Sequence, residues 1–104
     1  MVVSPNLNIS RSLGAKTADD RAFQVTIGIA IPYARPDGSW AVSVVVDPLR
    51  PDLTEEIGMD SWQATTLATK TVKSALRHFV REGGSLFLEG ETEPFTEAEI
   101  DEYF

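Results

Sequence analysis

The chain has one histidine, His78, and no cysteine, so metal or nucleophile chemistry would rest on oxygen donors and a single imidazole. A metal site needs further ligands at helical spacing. The residues three and four positions from His78 are Ser74, Ala75, Arg81 and Glu82, and Arg77 and Arg81 add repelling cations. Ser61 invites a nucleophile reading, which requires a base within hydrogen-bond reach. On one continuous helix His78 would stand about 25 Å from Ser61, at 1.5 Å per residue. No G-x-S-x-G elbow surrounds Ser61. Glu55, Glu56 and Asp60 offer carboxylates for acid–base work or a cation, but not at the spacing of an EF-hand loop. Gly83-Gly84 follows a helix, whereas a phosphate cradle precedes one. The chain therefore reads as a non-enzyme with no catalytic, cofactor or metal residue. A small hydrolase using surface carboxylates, or a purely structural, oligomerising domain, is the alternative.

Charge is the stronger signal. Glu89, Glu91, Glu93, Glu97, Glu99, Asp101 and Glu102 put seven of the sixteen acids into the last sixteen residues, with no base among them. The nine acids left equal the nine lysines and arginines, so the net charge of −7 belongs to this tail. An acidic chain does not bind nucleic acid non-specifically, because phosphate binding needs positive surface. The bases Lys70, Lys73, Arg77 and Arg81 share one side of a predicted helix and complement the negative end of its dipole. Partner-binding residues are expected within these two sets: Glu91, Glu93, Glu97, Glu99, Asp101 and Glu102 on the tail, and the four bases on the helix. The tail either docks on those bases in the same chain or occupies a basic groove on another protein.

The helix that carries the bases spans GMDSWQATTLATKTVKSALRHFVREGG, residues 58–84. Asp60 suits the N-cap, and Gln63 is placed to reach back to the Asp60 amide. Ala64, Leu67, Ala68, Val72, Ala75, Leu76, Phe79 and Val80 form one apolar stripe. Gly83 and Gly84 supply a left-handed stop. Trp62 is expected at the core edge or an interface.

Strands are expected on both sides of this helix. Residues 6–13 alternate Leu7, Ile9 and Leu13 against polar neighbours, with Arg11 breaking the row. A polar turn follows at 14–20. Residues 22–31 place Phe23, Val25, Ile27, Ile29 and Ile31 on one side. Pro36-Asp37-Gly38 predicts a hairpin turn into 39–47, with Trp40, Val42, Val44 and Val46 inward. Residues 47–59 read as an irregular connector, and 85–89 as a short last strand. In the tail, Thr96 and Glu99 fit a capping box, with Phe95, Ile100, Tyr103 and Phe104 as one apolar edge.

The fold class expected is α+β: an antiparallel four-stranded sheet (β-β-β-α-β), one long helix on one face, and a short acidic C-terminal helix. One domain covers 1–104, with residues 1–90 as its core and 91–104 as the acidic segment. The uncovered face would carry Asn8, Ser10, Gln24, Thr26, Gly28, Ala41, Ser43, Val45 and Phe87, open to solvent, and a homodimer is expected through that face or through an exposed edge strand.

Gly58-Met59-Asp60-Ser61-Trp62-Gln63-Ala64, then Leu67-Ala68, Gly84 and Leu86, resemble a small bacterial and phage domain family with a G-x-D-S-x-Q-A helix start. The resemblance covers residues 22–89 and implies strands before that helix. The family has no assigned activity, so no catalytic residue is implied, and the acidic tail is not part of its pattern. In size and charge the chain is also similar to small phage inhibitors of the anti-CRISPR or anti-restriction type. The function expected is protein binding, as a phage or mobile-element inhibitor whose partner is a nucleic-acid-binding protein. No direct nucleic-acid contact and no membrane association are expected. The absence of cysteine and of a basic, apolar leader at the N-terminus points to the cytoplasm.

Overall fold

The computed structural model describes residues 7–104. Asn6, the first residue of the expected first strand, lies outside them. Six strands and two helices follow in the order β1 Ile9–Lys16, β2 Ala22–Ile29, β3 Tyr33–Ala34, β4 Trp40–Asp47, β5 Glu55–Gly58, α1 Ser61–Arg81, β6 Ser85–Phe87 and α2 Glu97–Tyr103. The α+β class holds and every strand pairing is antiparallel. The strand count is six rather than four.

β1 and β2 pair from Ile9↔Ile29 to Lys16↔Ala22. The first strand thus runs three residues past its expected end, and the tight turn is Thr17–Arg21, closed by Thr17 N–H donating to Arg21 O at 2.9 Å. Leu13 and Ala15 are buried, whereas Ile9 and Ile31, both expected inside, are 67% exposed. Leu7 also departs from its expected face. Its Cδ1 lies where a Cβ on Gly28 would point, on the side away from the helix.

The hairpin at Pro36-Asp37-Gly38 forms as expected. Gly38 has φ 87° and the Asp37 carboxylate accepts from Ser39 N–H at 2.9 Å. β3 and β2 take successive stretches of the same edge of β4. Between Ile29↔Val44 and Tyr33↔Ala41, four steps on one side meet three on the other. The extra residue falls between Ala30, whose N–H still bonds Ser43 O at 3.1 Å, and Tyr33, a stretch containing Pro32, which has no N–H to give the ladder.

The expected connector contains a strand. β5 pairs the other edge of β4, Ser43↔Glu55 to Trp40↔Gly58. Glutamates disfavour strands, which hid it, but both acids are engaged. Tyr33 O–H donates to Glu55 at 2.6 Å and Thr71 O–H donates to Glu56 at 2.7 Å. The sheet therefore reads β5-β4-β2-β1-β6 across, with β3 prolonging β2.

α1 lies over β4 and β5 and buries Ala64, Ala68, Val72, Ala75 and Leu76. Asp60 is its N-cap, accepting from Gln63 N–H at 2.7 Å. Gln63 reaches back one residue further than expected, to Met59 N–H at 2.7 Å. The helix stops in a Schellman arrangement. Gly83 has φ 97°, with Gly83 N–H on Val80 O and Gly84 N–H on Phe79 O, both 3.0 Å.

The half of the sheet that α1 leaves bare is closed by the tail. Phe95 N–H donates to Leu86 O at 2.9 Å, and Phe95 and Ile100 join the same core cluster as Leu13, Val25 and Leu86. On the opposite face Ala41 is fully buried rather than open. It pairs with Tyr33 on one side and Ile57 on the other, and Tyr33 reaches across toward Glu55.

Candidate partner-binding surface

α2 is capped as its sequence dictates. Thr96 Oγ1 accepts from Glu99 N–H at 3.3 Å while Glu99 Oε1 accepts from Thr96 N–H at 2.9 Å. The backbone bond from Thr96, then the Tyr103 hydroxyl, lower the Glu99 pKa below its ordinary 4.5. Ile100 is the helix's buried residue. Phe95 meets Tyr103 edge-on at 5.8 Å and Phe104 at 5.8 Å.

With Ile100 facing inward, one side of α2 meets the basic side of α1. Arg77 binds Asp101, Lys73 Nζ stands 3.9 Å from the same carboxylate, and Arg81 binds Glu97. One turn forward on α2 corresponds to one turn back on α1, so the helices run antiparallel along this seam. Of the expected bases, Lys73, Arg77 and Arg81 are brought to the tail. Lys70 is not; it is exposed and has no ion pair among the described residues. Glu97 and Asp101 are likewise taken up within the chain.

The remaining tail acids face outward. Glu91, Glu93 and Glu102 are exposed and none has an ion-pair partner among the described residues. Glu99 accepts from Tyr103 O–H at 2.8 Å. That bond raises the Tyr103 pKa above 10.0, helped by burial and by the charges of Glu99, Glu102 and Glu91. Tyr33 is raised in the same way, first by its bond to Glu55. Raised phenols are hydrogen-bond donors rather than bases, and the connector acids Glu55, Glu56 and Asp60 are engaged in structural bonds.

Arg11, read as an interruption of the first strand, has a place here. Its guanidinium lies 5.1 Å from the Phe104 ring centroid, and Nη1 donates to Tyr103 O at 3.1 Å. A cation over an aromatic ring is attracted by the ring quadrupole, so Arg11 ties the end of α2 to β1. The only signal in the sequence was a cation in an apolar row far from an aromatic C-terminus. A groove of about 440 Å³ opens beside it, lined by Ile9, Ile29, Val72, Tyr103 and Phe104 among others. Trp62 is 82% exposed, not at the core edge. Ser61 and His78 lie near opposite ends of α1, and the ion-pair contact of His78 among the described residues is Glu82, at 4.0 Å.

Among the described residues no group of three or more metal-ligating side chains comes together, and no helix is long and apolar enough to cross a membrane. Compared with known proteins, the chain matches no family model, no curated protein and no solved structure. The likeness to bacterial and phage domains rests on the residues quoted for it.

Proposed function

We propose that the chain is a non-enzymatic protein-binding module that presents a fixed acidic face to a basic partner. One observation carries this reading. α2 is anchored in the core by Ile100 and carries Glu99, bonded to Tyr103, and the exposed Glu102, while the exposed Glu91 and Glu93 precede it on the segment that buries Phe95. Charges on an anchored element are organised before binding, which lowers the ordering cost of association. Electrostatic complementarity then selects a basic surface and speeds encounter.

A basic groove that otherwise holds nucleic acid is the class of surface such a face fits, and occupying it is inhibition. A phage or mobile-element inhibitor acting in the cytoplasm is the setting we infer. A homodimer through the open sheet face draws less support, because Val45 and Phe87 are half-buried within one chain.

The test is capture of partners from cells of the source organism by wild type and by the charge-reversed chain Glu91→Lys, Glu93→Lys, Glu102→Lys. The expected result is a basic protein retained by wild type, released as salt rises, and lost on reversal. A partner held equally by both chains would refute the acidic face.

A further inference from the structure

We propose that the stretch of β1 from Ile9 to Ser12, whose outer edge meets no strand among the described residues, accepts an extended, lysine- or arginine-bearing segment of the partner as an added strand. The inference rests on the protein-binding reading and names the place and the chemistry of contact.

β6 takes up the outer edge of β1 only at Gly14, Ala15 and Lys16. No strand lies beside Ile9–Leu13 on that side among the described residues. In an antiparallel ladder, alternate residues turn both backbone groups toward the same neighbour. Thr17 N–H bonds Arg21 O, and by that register Leu13 and Arg11 turn toward β2. Ser10 and Ser12 therefore turn their amides and carbonyls outward, in line with Gly14 and Lys16, which meet β6. An incoming strand would continue the ladder that β6 begins. An exposed edge of this kind is where extended peptides add to sheets, with main-chain bonds giving affinity and alternate side chains giving specificity.

The surroundings select the occupant. On the helix-bearing face the edge adjoins the groove of Ile9, Tyr103 and Phe104, an apolar seat for alternate side chains. On the other face Ser12 shares a concavity with Glu89, Glu91 and Thr92. Glu99 accepts from the Tyr103 hydroxyl, and Glu102, next to Tyr103 in the chain, is exposed. Of the cations here, Arg11 is held by Tyr103 O and the Phe104 ring, and Lys16, which lines the same concavity as Ser12, faces Asp20 at 3.7 Å. The rim is therefore net negative and favours a cationic segment. A second copy pairing here edge to edge would bring two such rims together, and like charges oppose that.

The test uses the full-length, isotope-labelled chain and a blocked hexapeptide of alternating lysine and valine. Two control peptides are the same sequence N-methylated at alternate residues, and glutamate in place of lysine. The expected result is saturable shifts centred on the Ser10 and Ser12 amides, with slowed hydrogen exchange there. Each control should bind at least about tenfold more weakly, the effect of losing roughly 1.4 kcal/mol. Glu91→Gln with Glu102→Gln should weaken the lysine peptide by roughly threefold per charge, as exposed ion pairs do. Equal binding of the N-methylated peptide, shifts confined to the tail, or no saturable binding would overturn the strand inference. The capture experiment is independent. Loss of a captured partner on charge reversal, with no strand addition, would leave the acidic face standing and remove only the β1 edge.

Discussion

Replacing Ile100 by alanine removes three carbons from a side chain with no exposed surface. At about 0.8 kcal/mol per buried carbon the transfer loss is about 2.4 kcal/mol. The cavity left behind brings such changes to roughly 2–5 kcal/mol. A seven-residue helix has no stability of its own in water, so α2 stays in place only while Ile100 and Phe95 hold it. The ion pairs contribute less. The Asp101 side chain is 64% exposed, and an exposed pair is worth about 0–1 kcal/mol. Burial therefore outweighs charge in seating the tail. Urea denaturation checks this: at a slope of about 2 kcal/mol per molar, a loss of about 3 kcal/mol lowers the midpoint by about 1.5 M. An unchanged midpoint at constant slope would refute the claim that the tail is part of the core. It would leave α2 an appendage held by charge.

Asp101→Asn should cost no more than about 1 kcal/mol, and the deficit should shrink as salt rises; a larger, salt-independent loss would show that the seam matters more than argued. Asp60→Ala should cost roughly 0.5–2 kcal/mol, the usual worth of an N-cap, read from the denaturation midpoint. The folded Glu99 pKa lies below its ordinary 4.5, so its contribution is fully present above that value and fades as pH falls through the folded pKa; carboxyl titration by NMR should find Glu99 below the free value. Trp62→Ala should move stability by less than about 0.5 kcal/mol, as at other exposed positions, and should remove the more quencher-accessible part of the tryptophan fluorescence.

What the sequence revealed and concealed divides by the range of the interaction. Asp60, Gly83 and the Thr96–Glu99 box are fixed by neighbours within a turn, and all three are legible from local residue types. The apolar edge of Phe95 and Ile100 showed itself by its own spacing. β5 did not, because Glu55 and Glu56 read as loop until Tyr33 and Thr71 supply their hydrogen bonds from elsewhere in the chain. Ile9 read as core because alternation gives the face of a strand but not how far the covering helices reach along it. The base set Lys70, Lys73, Arg77 and Arg81 was visible as a side of α1. Only the register of α2 shows that three of them are engaged and Lys70 is left out. Arg11 and Phe104 lie at opposite ends of the sequence, and nothing local joins them.

The most direct test of the central claim is the affinity of the captured partner as a function of salt, for wild type and for Glu91→Lys, Glu93→Lys, Glu102→Lys. These three side chains are exposed, so the reversed chain should melt within about 0.5 kcal/mol of wild type. Wild-type affinity should fall as salt rises, and the reversed chain should bind weakly at every salt concentration. Equal affinity of the two chains across the salt range would contradict the account.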